Sequence, residues 1–144
     1  MLLTNFKNLI SGILSNRNCN VVNLVGETKT LTPSEIVGAN GILSEGFLWI
    51  GRNDENINKD MNNFIYDNTT FKNSNQNTNM LDDKIVYTGS WTNNTTSDQV
   101  VTTVGVSVHN TSWEKHCFIE ITKLETPITI KSGETKTFTI TINF

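Results

Sequence analysis

The sequence predicts an all-β fold, an antiparallel β-sandwich of immunoglobulin-like or jelly-roll-like type, with one short N-terminal amphipathic helix. Threonine, valine and isoleucine, which favour strands, are frequent in the chain. In its last third, apolar and polar residues alternate over several short segments that turns separate. Strands at this spacing are typical of a sandwich or a barrel. The 144 residues suffice for one domain with a buried core.

The chain opens with a predicted amphipathic helix over residues 2–14, where apolar residues recur at steps of three and four. The polar face carries Asn5, Lys7, Asn8 and Ser11. A helix of this length is marginal alone, so its apolar stripe must pack on something. Either it packs on the domain's own sheet, or it docks on a neighbouring subunit. We assign residues 1–17 to this helical arm and residues 18–144 to a single β-sandwich domain.

Two short strands and an apolar segment are predicted next. The strands are residues 21–25 and 28–32, with a turn at Gly26-Glu27 between them. Pro33 ends the second strand, because proline cannot donate to a β-ladder. Residues 42–50 are densely apolar, residues 47–50 are expected to be buried, and Gly46 indicates a β-bulge.

Residues 52–80 are rich in asparagine and keep no hydrophobic period. Because a long stretch without regular structure is unusual in a compact domain, we predict an irregular excursion that becomes ordered on a partner. Residues 72–79 are its expected mobile part. Phe64, Tyr66 and Phe71 are its expected anchors.

In the last third of the chain, alternating apolar and polar residues predict regular strands over residues 84–91, 99–109, 116–124, 128–130 and 135–144. In the second of these, one face is expected to carry Val100, Thr102, Val104, Val106 and Val108. The heptapeptide at 26–32, G-E-T-K-T-L-T, recurs at 133–139 with phenylalanine for leucine. In both copies glycine provides the positive φ of a turn, and an alternating strand follows.

No residue pattern predicts catalysis. Cys19 and Cys117 match no zinc or redox spacing, so we expect two free thiols. His109 and His116 lie in no metal-binding motif. His116 precedes Cys117 directly on a predicted strand, so their side chains point to opposite faces and cannot act together. We therefore predict a protein that is not an enzyme and has no cofactor.

The segment Asp54–Asp60 provides oxygen atoms at alternate positions, as a calcium loop does. However, Lys59 stands where such a loop has glycine, and Ile65 where it has its closing glutamate, so no metal site is predicted. The net charge of −3 argues against nucleic acid as a partner, and the apolar runs are too short to cross a membrane. The first run, broken by Asn5, Lys7 and Asn8, is not expected to be a signal peptide.

Three tryptophans, Trp49, Trp91 and Trp113, allow two interpretations. They are core or interface residues, or they form a platform on which a sugar stacks. The second interpretation would make the chain a carbohydrate-binding or adhesion module.

Several segments resemble those of small structural proteins from tailed bacteriophages. They are the stretch 87–97 with its T-N-N-T turn, the valine-rich strand 101–106, and the T-P-I-T-I plus G-E-T-K-T-F hairpin within 124–142. Trp49-Ile50-Gly51 and the F-K-N start of the helix also fit this group. The resemblance implies a virion component, made in the cytoplasm of the host bacterium.

The function expected from this resemblance is a capsid auxiliary or decoration protein that acts by protein–protein packing. A tail, baseplate or fibre component is the alternative. The expected partners are copies of the chain itself and other virion proteins, such as major capsid or tail proteins. The expected partner-binding residues are Leu2, Phe6, Leu9, Ile10, Ile13, Phe64, Tyr66 and Phe71.

Overall fold

A computed structural model describes residues 1–37, 46–52, 57–62, 70–109 and 113–143, apart from the side chains of Val37 and Trp113. In this part of the chain the fold is an all-β antiparallel sandwich, which confirms the predicted class. The helices are α1 (Thr4–Ser15) and α2 (Pro33–Val37), with one 3-10 turn (Trp113–Lys115). The strands are β1 (Cys19–Val22), β2 (Thr28–Leu31), β3 (Gly46–Gly51), β4 (Phe71–Met80), β5 (Lys84–Asn93), β6 (Gln99–Val108), β7 (Cys117–Ile130) and β8 (Thr135–Asn143).

Two three-stranded sheets form the sandwich, with strand orders β3-β6-β7 and β4-β5-β8. The hairpin β1-β2 is a separate two-stranded sheet, and all pairs are antiparallel. The core contains two large clusters of buried side chains. The first, beside α1 and the hairpin, contains Phe6, Leu9, Cys19, Val21, Leu31, Ile36, Ile85, Tyr87, Val106, Val108, Cys117, Ile119 and Ile142. The second contains Leu48, Ile50, Phe71, Trp91, Val101, Val104, Ile130 and Phe138.

The helix α1 packs on the chain's own structure, since Phe6 and Leu9 lie in the first cluster. The helix ends where Asn16 adopts the left-handed conformation with φ 51°. Leu14, which the periodicity places in the apolar stripe, is instead 82% exposed.

The prediction that Asn5 belongs to the polar face of α1 is wrong. Its side chain is buried, and its Nδ2 donates to the carbonyl oxygens of Val22 and Phe118, each at 2.9 Å. Its Oδ1 accepts from the backbone N–H of Val22 at 2.8 Å. The Asn5 amide thus bridges β1 and β7 and makes hydrogen bonds of the kind that a strand between them would make. These bonds satisfy backbone groups that would otherwise be buried without a partner.

The repeated heptapeptide has the same local structure twice. Gly26 and Gly133 have φ of 87° and 73°, and strands β2 and β8 follow them. Pro33, which ends β2 as predicted, also begins the short helix α2, a helix that the sequence did not predict. Proline suits the first position of a helix, because an N–H at that position would have no partner within the helix.

The prediction of an irregular segment is wrong for residues 72–79, because Phe71–Met80 is strand β4. It pairs with β5 along its length, with one irregularity between Asn73 and Asn75. The hydrophobic period is missing because Gln76 and Thr78 are half-buried polar residues whose side chains bond to β3 instead of packing in the core.

Gly46 does not mark a bulge, since β3 pairs with β6 without a register shift. A Cβ at this position would lie 1.9 Å from Cε1 of Tyr87, so the glycine admits the tyrosine ring into the core. The predicted face of β6 is also partly wrong. The register against β7 shifts between Val101 and Thr103, which buries Val101 and leaves Val100 38% exposed. Beyond this shift, both faces of β6 are buried.

Candidate functional site

A cleft of about 380 Å³ opens between the edges of β3 and β4 and reaches one side chain of β5. We call it the aromatic cleft. It is lined by Phe47, Leu48, Trp49, Phe71, Lys72, Asn73, Gln76 and Trp91. Four of these residues are aromatic, and one, Lys72, is charged. Phe71 and Trp91 are buried, whereas Phe47 and Trp49 are half-buried.

A chain of hydrogen bonds fixes the indole of Trp49 in the cleft wall. Its Nε1–H donates to Oγ of Ser107 at 2.6 Å, and that hydroxyl lies 2.5 Å from Nε2 of His116. The ring centroid of Trp49 lies 6.4 Å from that of Trp91, with an interplanar angle of 34°. Because its polar edge is occupied inside the protein, Trp49 presents a carbon surface to the cleft.

His116 is the buried end of this chain. Burial, together with a smaller effect of the nearby His109, lowers its pKa to about 4. The imidazole is therefore neutral at pH 7. Ser107 Oγ accepts from Trp49 and makes a second hydrogen bond with Nε2 of His116, in which the imidazole tautomer decides which group donates.

Gln76 closes the edge of β3 beside the cleft. Its Nε2 donates to the carbonyl oxygen of Leu48 at 2.7 Å, and its Oε1 accepts from the backbone N–H of Leu48 at 3.1 Å. Thr78 Oγ1 donates to the carbonyl oxygen of Gly46 at 3.3 Å. Side chains of β4 thus take the place of a further strand on β3. Sequence reasoning missed Gln76 and Asn73, since both lie in the segment predicted to be irregular.

A second surface, the N-terminal groove, has a volume of about 350 Å³. It is lined by Leu2, Leu3, Thr4, Phe6, Lys7, Ile10 and Lys59. Three of the expected partner-binding residues, Leu2, Phe6 and Ile10, therefore line one groove.

The other expected partner-binding residues lie elsewhere. Leu9 is fully buried in the chain's own core, and Ile13 packs against the same cluster. Phe71 is buried in the aromatic cleft. Phe64 and Tyr66 lie outside the described residues.

The structure describes both cysteines, and both are free, buried thiols. Burial raises the pKa of each, that of Cys117 to about 12, and the neighbouring Cys19 contributes to the shift of Cys117. Among the described residues, no group of three or more His, Cys, Asp or Glu side chains could hold a metal ion. Of the candidate calcium segment, residues 54–56 lie outside the described ranges, and Asp60 Oδ1 accepts from Thr4 Oγ1 at 2.7 Å.

Of the three tryptophans, the structure brings Trp49 and Trp91 together at one cleft. Trp113 lies in the 3-10 turn, and its side chain is outside the described part. In the described ranges, no helix is long and apolar enough to cross a membrane. No protein-family model, curated protein or solved structure matches the chain.

Proposed function

We propose that the protein is a non-enzymatic structural component of a tailed-phage virion that acts by packing against copies of itself and other virion proteins. Within the virion we propose the head, where it would serve as a capsid auxiliary or decoration protein. A tail, baseplate or fibre component is the alternative location. The observation that carries the proposal is the free outer edge of β8.

The other edges of the two three-stranded sheets are protected against pairing with a further strand. On β7, residues 1–3 bond to one half, and Pro127 lies in the other half. The edge of β3 is covered by Gln76, and the pairing of β4 is interrupted between Asn73 and Asn75. Proline, bulges and covering groups are the devices by which proteins prevent unwanted strand addition.

In the part of the chain that the structure describes, the edge of β8 has no proline, no bulge and no covering group. It is nine residues long, pairs with β5 without a register shift and carries one charged side chain, Lys136. Among the described residues, no backbone hydrogen bond reaches its outer edge. An unprotected regular edge is a ready site for a strand of another subunit.

The sequence of β8 suits pairing with itself. In an antiparallel pair centred on Thr139, Phe138 would face Ile140 of a second copy, and Thr137 would face Thr141. Aromatic–β-branched and Thr–Thr cross-strand pairs both stabilise sheets. The pairing would join two sheets into one of six strands, β4-β5-β8 continued by the same three strands of the second copy.

The outer face of this sheet supports a packing role. Its cross-strand hydroxyl pairs are Ser90–Thr137 at 2.8 Å, Thr92–Thr135 at 2.7 Å and Thr88–Thr139 at 3.4 Å. Short side chains that already hydrogen-bond to one another lose less conformational entropy on burial than long charged ones. A neighbouring subunit could therefore cover this face at low entropic cost.

Self-association can be tested by two variants that affect a β8–β8 pair oppositely but the monomer alike. In Thr137→Lys/Thr141→Lys, like charges would face each other across the pair, whereas in Thr137→Lys/Thr141→Glu, opposite charges would. We expect sedimentation velocity to show a dimer for the wild type and the second variant, and a monomer for the first. Equal behaviour of the two variants would contradict pairing through β8.

The virion role is tested separately, by quantitative mass spectrometry of particles purified from cells that carry the gene. We expect the protein in purified particles, at a copy number comparable to that of the major capsid protein for a head location. A number comparable to that of tail proteins would select the alternative. Absence from particles would contradict the proposal.

A further inference from the structure

We propose that the aromatic cleft binds a pyranose unit of a neutral glycan. The inference is independent of the virion proposal, because it rests on the cleft and not on the β8 edge. The volume of about 380 Å³ lies at the lower end of the range of about 300–1,000 Å³ for small-ligand sites. A site of this size suits a ligand of one or two rings.

The walls of the cleft fit the carbon face of a sugar ring. Trp49 and Phe47 are half-buried, so each keeps a surface that a ligand can contact. The hydrogen bond from Trp49 to Ser107 fixes the indole before any ligand arrives. A preorganised ring costs less ordering entropy on binding, and its electron-rich face attracts the polarised C–H groups of a pyranose.

The rim offers both a donor and an acceptor. Nδ2 of Asn73 donates to the carbonyl oxygens of Asn75 at 3.1 Å and Ser90 at 3.3 Å. Oδ1 is therefore the atom of this amide that would accept a hydrogen bond from a ligand. Lys72, exposed beside it, donates through its ammonium group. Sugar hydroxyls accept and donate at once, so they can satisfy this pair, whereas a hydrocarbon ligand could not.

A third group in the wall lacks an acceptor. Nε1 of Trp91 is buried, and it has no hydrogen-bond partner among the described residues. An unsatisfied buried donor is unusual and favours a ligand that carries oxygen atoms.

The lining is rich in aromatic residues and carries its charge at the rim, which suits a neutral ring and disfavours a cation. Among the described residues, Lys72 is the one ionisable side chain that lines the cleft, and it lies at the rim. None of the described lining residues is a carboxylate, so a cationic ligand would have no partner among them. Gln76 already uses both of its polar groups on Leu48 and therefore shapes the site without binding the sugar.

The test uses the full chain with a panel of sugars, namely glucose, galactose, N-acetylglucosamine, glucuronic acid and N-acetylneuraminic acid. Saturation-transfer NMR detects binding, and tryptophan fluorescence titration gives the dissociation constant. We expect at least one neutral sugar to bind and to change the tryptophan emission. Binding of no sugar, or of acidic sugars alone, would overturn the proposal.

Two pairs of variants, each with a substitution in the cleft and a control outside it, localise the site. Asn73→Ala should weaken binding about fivefold, the expected loss for one hydrogen bond. Asn77→Ala, an exposed asparagine of the same strand outside the cleft, should leave it unchanged. Lys72→Ala, an exposed position where folding is not at risk, should also weaken it, while Lys131→Ala should not. Equal effects within either pair would overturn the assignment.

Discussion

The indole Nε1–H of Trp49 donates to the hydroxyl of Ser107 at 2.6 Å, and this bond joins neighbouring strands β3 and β6 through their side chains. The same hydroxyl bonds to the imidazole of His116. The three groups form a buried chain of hydrogen bonds, and its imidazole is neutral at pH 7 because burial lowers the pKa of His116 to about 4.

The stability of the protein should fall on acidification because of His116. Its pKa is about 4 in the folded protein and near 6.5 when unfolded. Above pH 6.5 neither state binds the proton, so this contribution is fully present. Between pH 6.5 and 4 only the unfolded state binds it, and the free energy of unfolding falls by up to about 3 kcal/mol.

Urea unfolding at several pH values checks this. His116→Gln should flatten the dependence between pH 6.5 and 4, whereas His109→Gln should keep most of it, since burial is the larger cause of the shift. Parallel curves for the wild type and His116→Gln would show that the prediction is wrong.

Asn93→Ala should destabilise the fold by about 3 kcal/mol. The side chain is 1% exposed, and its Nδ2 donates to the carbonyl oxygens of Ser97 and Ile130 at 2.8 and 2.9 Å. Its Oδ1 accepts from the backbone N–H and the hydroxyl of Thr95 at 2.9 and 2.8 Å. Removing the amide leaves buried partners unsatisfied. The exposed Asn94, replaced by alanine, should change the unfolding free energy by less than about 0.5 kcal/mol.

Gly46→Ala should cost about 1–3 kcal/mol, because the new methyl group would meet the buried ring of Tyr87. Thermal unfolding measures the loss. A smaller residue at position 87 should relieve the clash, so the effects of Gly46→Ala and Tyr87→Ala should not add. Additive effects would mean that the glycine serves some purpose other than admitting the ring.

Neither cysteine should react with an aromatic disulfide reagent at pH 8 in the folded protein. Both thiols are buried, and the raised pKa of Cys117 keeps it protonated, whereas the thiolate is the reactive form. In denaturant without reductant, two thiols per chain should react. Fast reaction of the folded protein, or no reaction after unfolding, would contradict the free, buried state.

Much of the fold was predictable because its strands have one buried face. In β5, buried and half-buried residues alternate without interruption, so the pattern at Ile85, Tyr87 and Trp91 was visible in the sequence. The turn of the repeated heptapeptide was also visible, since Gly26 and Gly133 take the positive φ that glycine allows. These signals are local and do not depend on what packs nearby.

Strand β4 and the aromatic cleft were not predictable for a physical reason. The inward side chains of β4 include Gln76, whose role is to bond to Leu48 on another sheet, so no hydrophobic period marks the strand. Similarly, the proximity of Trp49 and Trp91 depends on how two sheets face each other. Residues far apart in the chain carry no sign of that arrangement.

The β-rich class, the N-terminal helix and the turns could be read from local sequence patterns, because backbone preferences and hydrophobic alternation act over a few residues. The 21 asparagines of the chain indicated turns and polar surface. Three of them, Asn5, Asn23 and Asn93, are nevertheless buried, and their burial follows from the packing of distant parts of the chain. An amide carries both a donor and an acceptor, so it can satisfy backbone groups where strands and turns meet. Where those groups meet depends on long-range packing and not on the neighbouring residues in the chain.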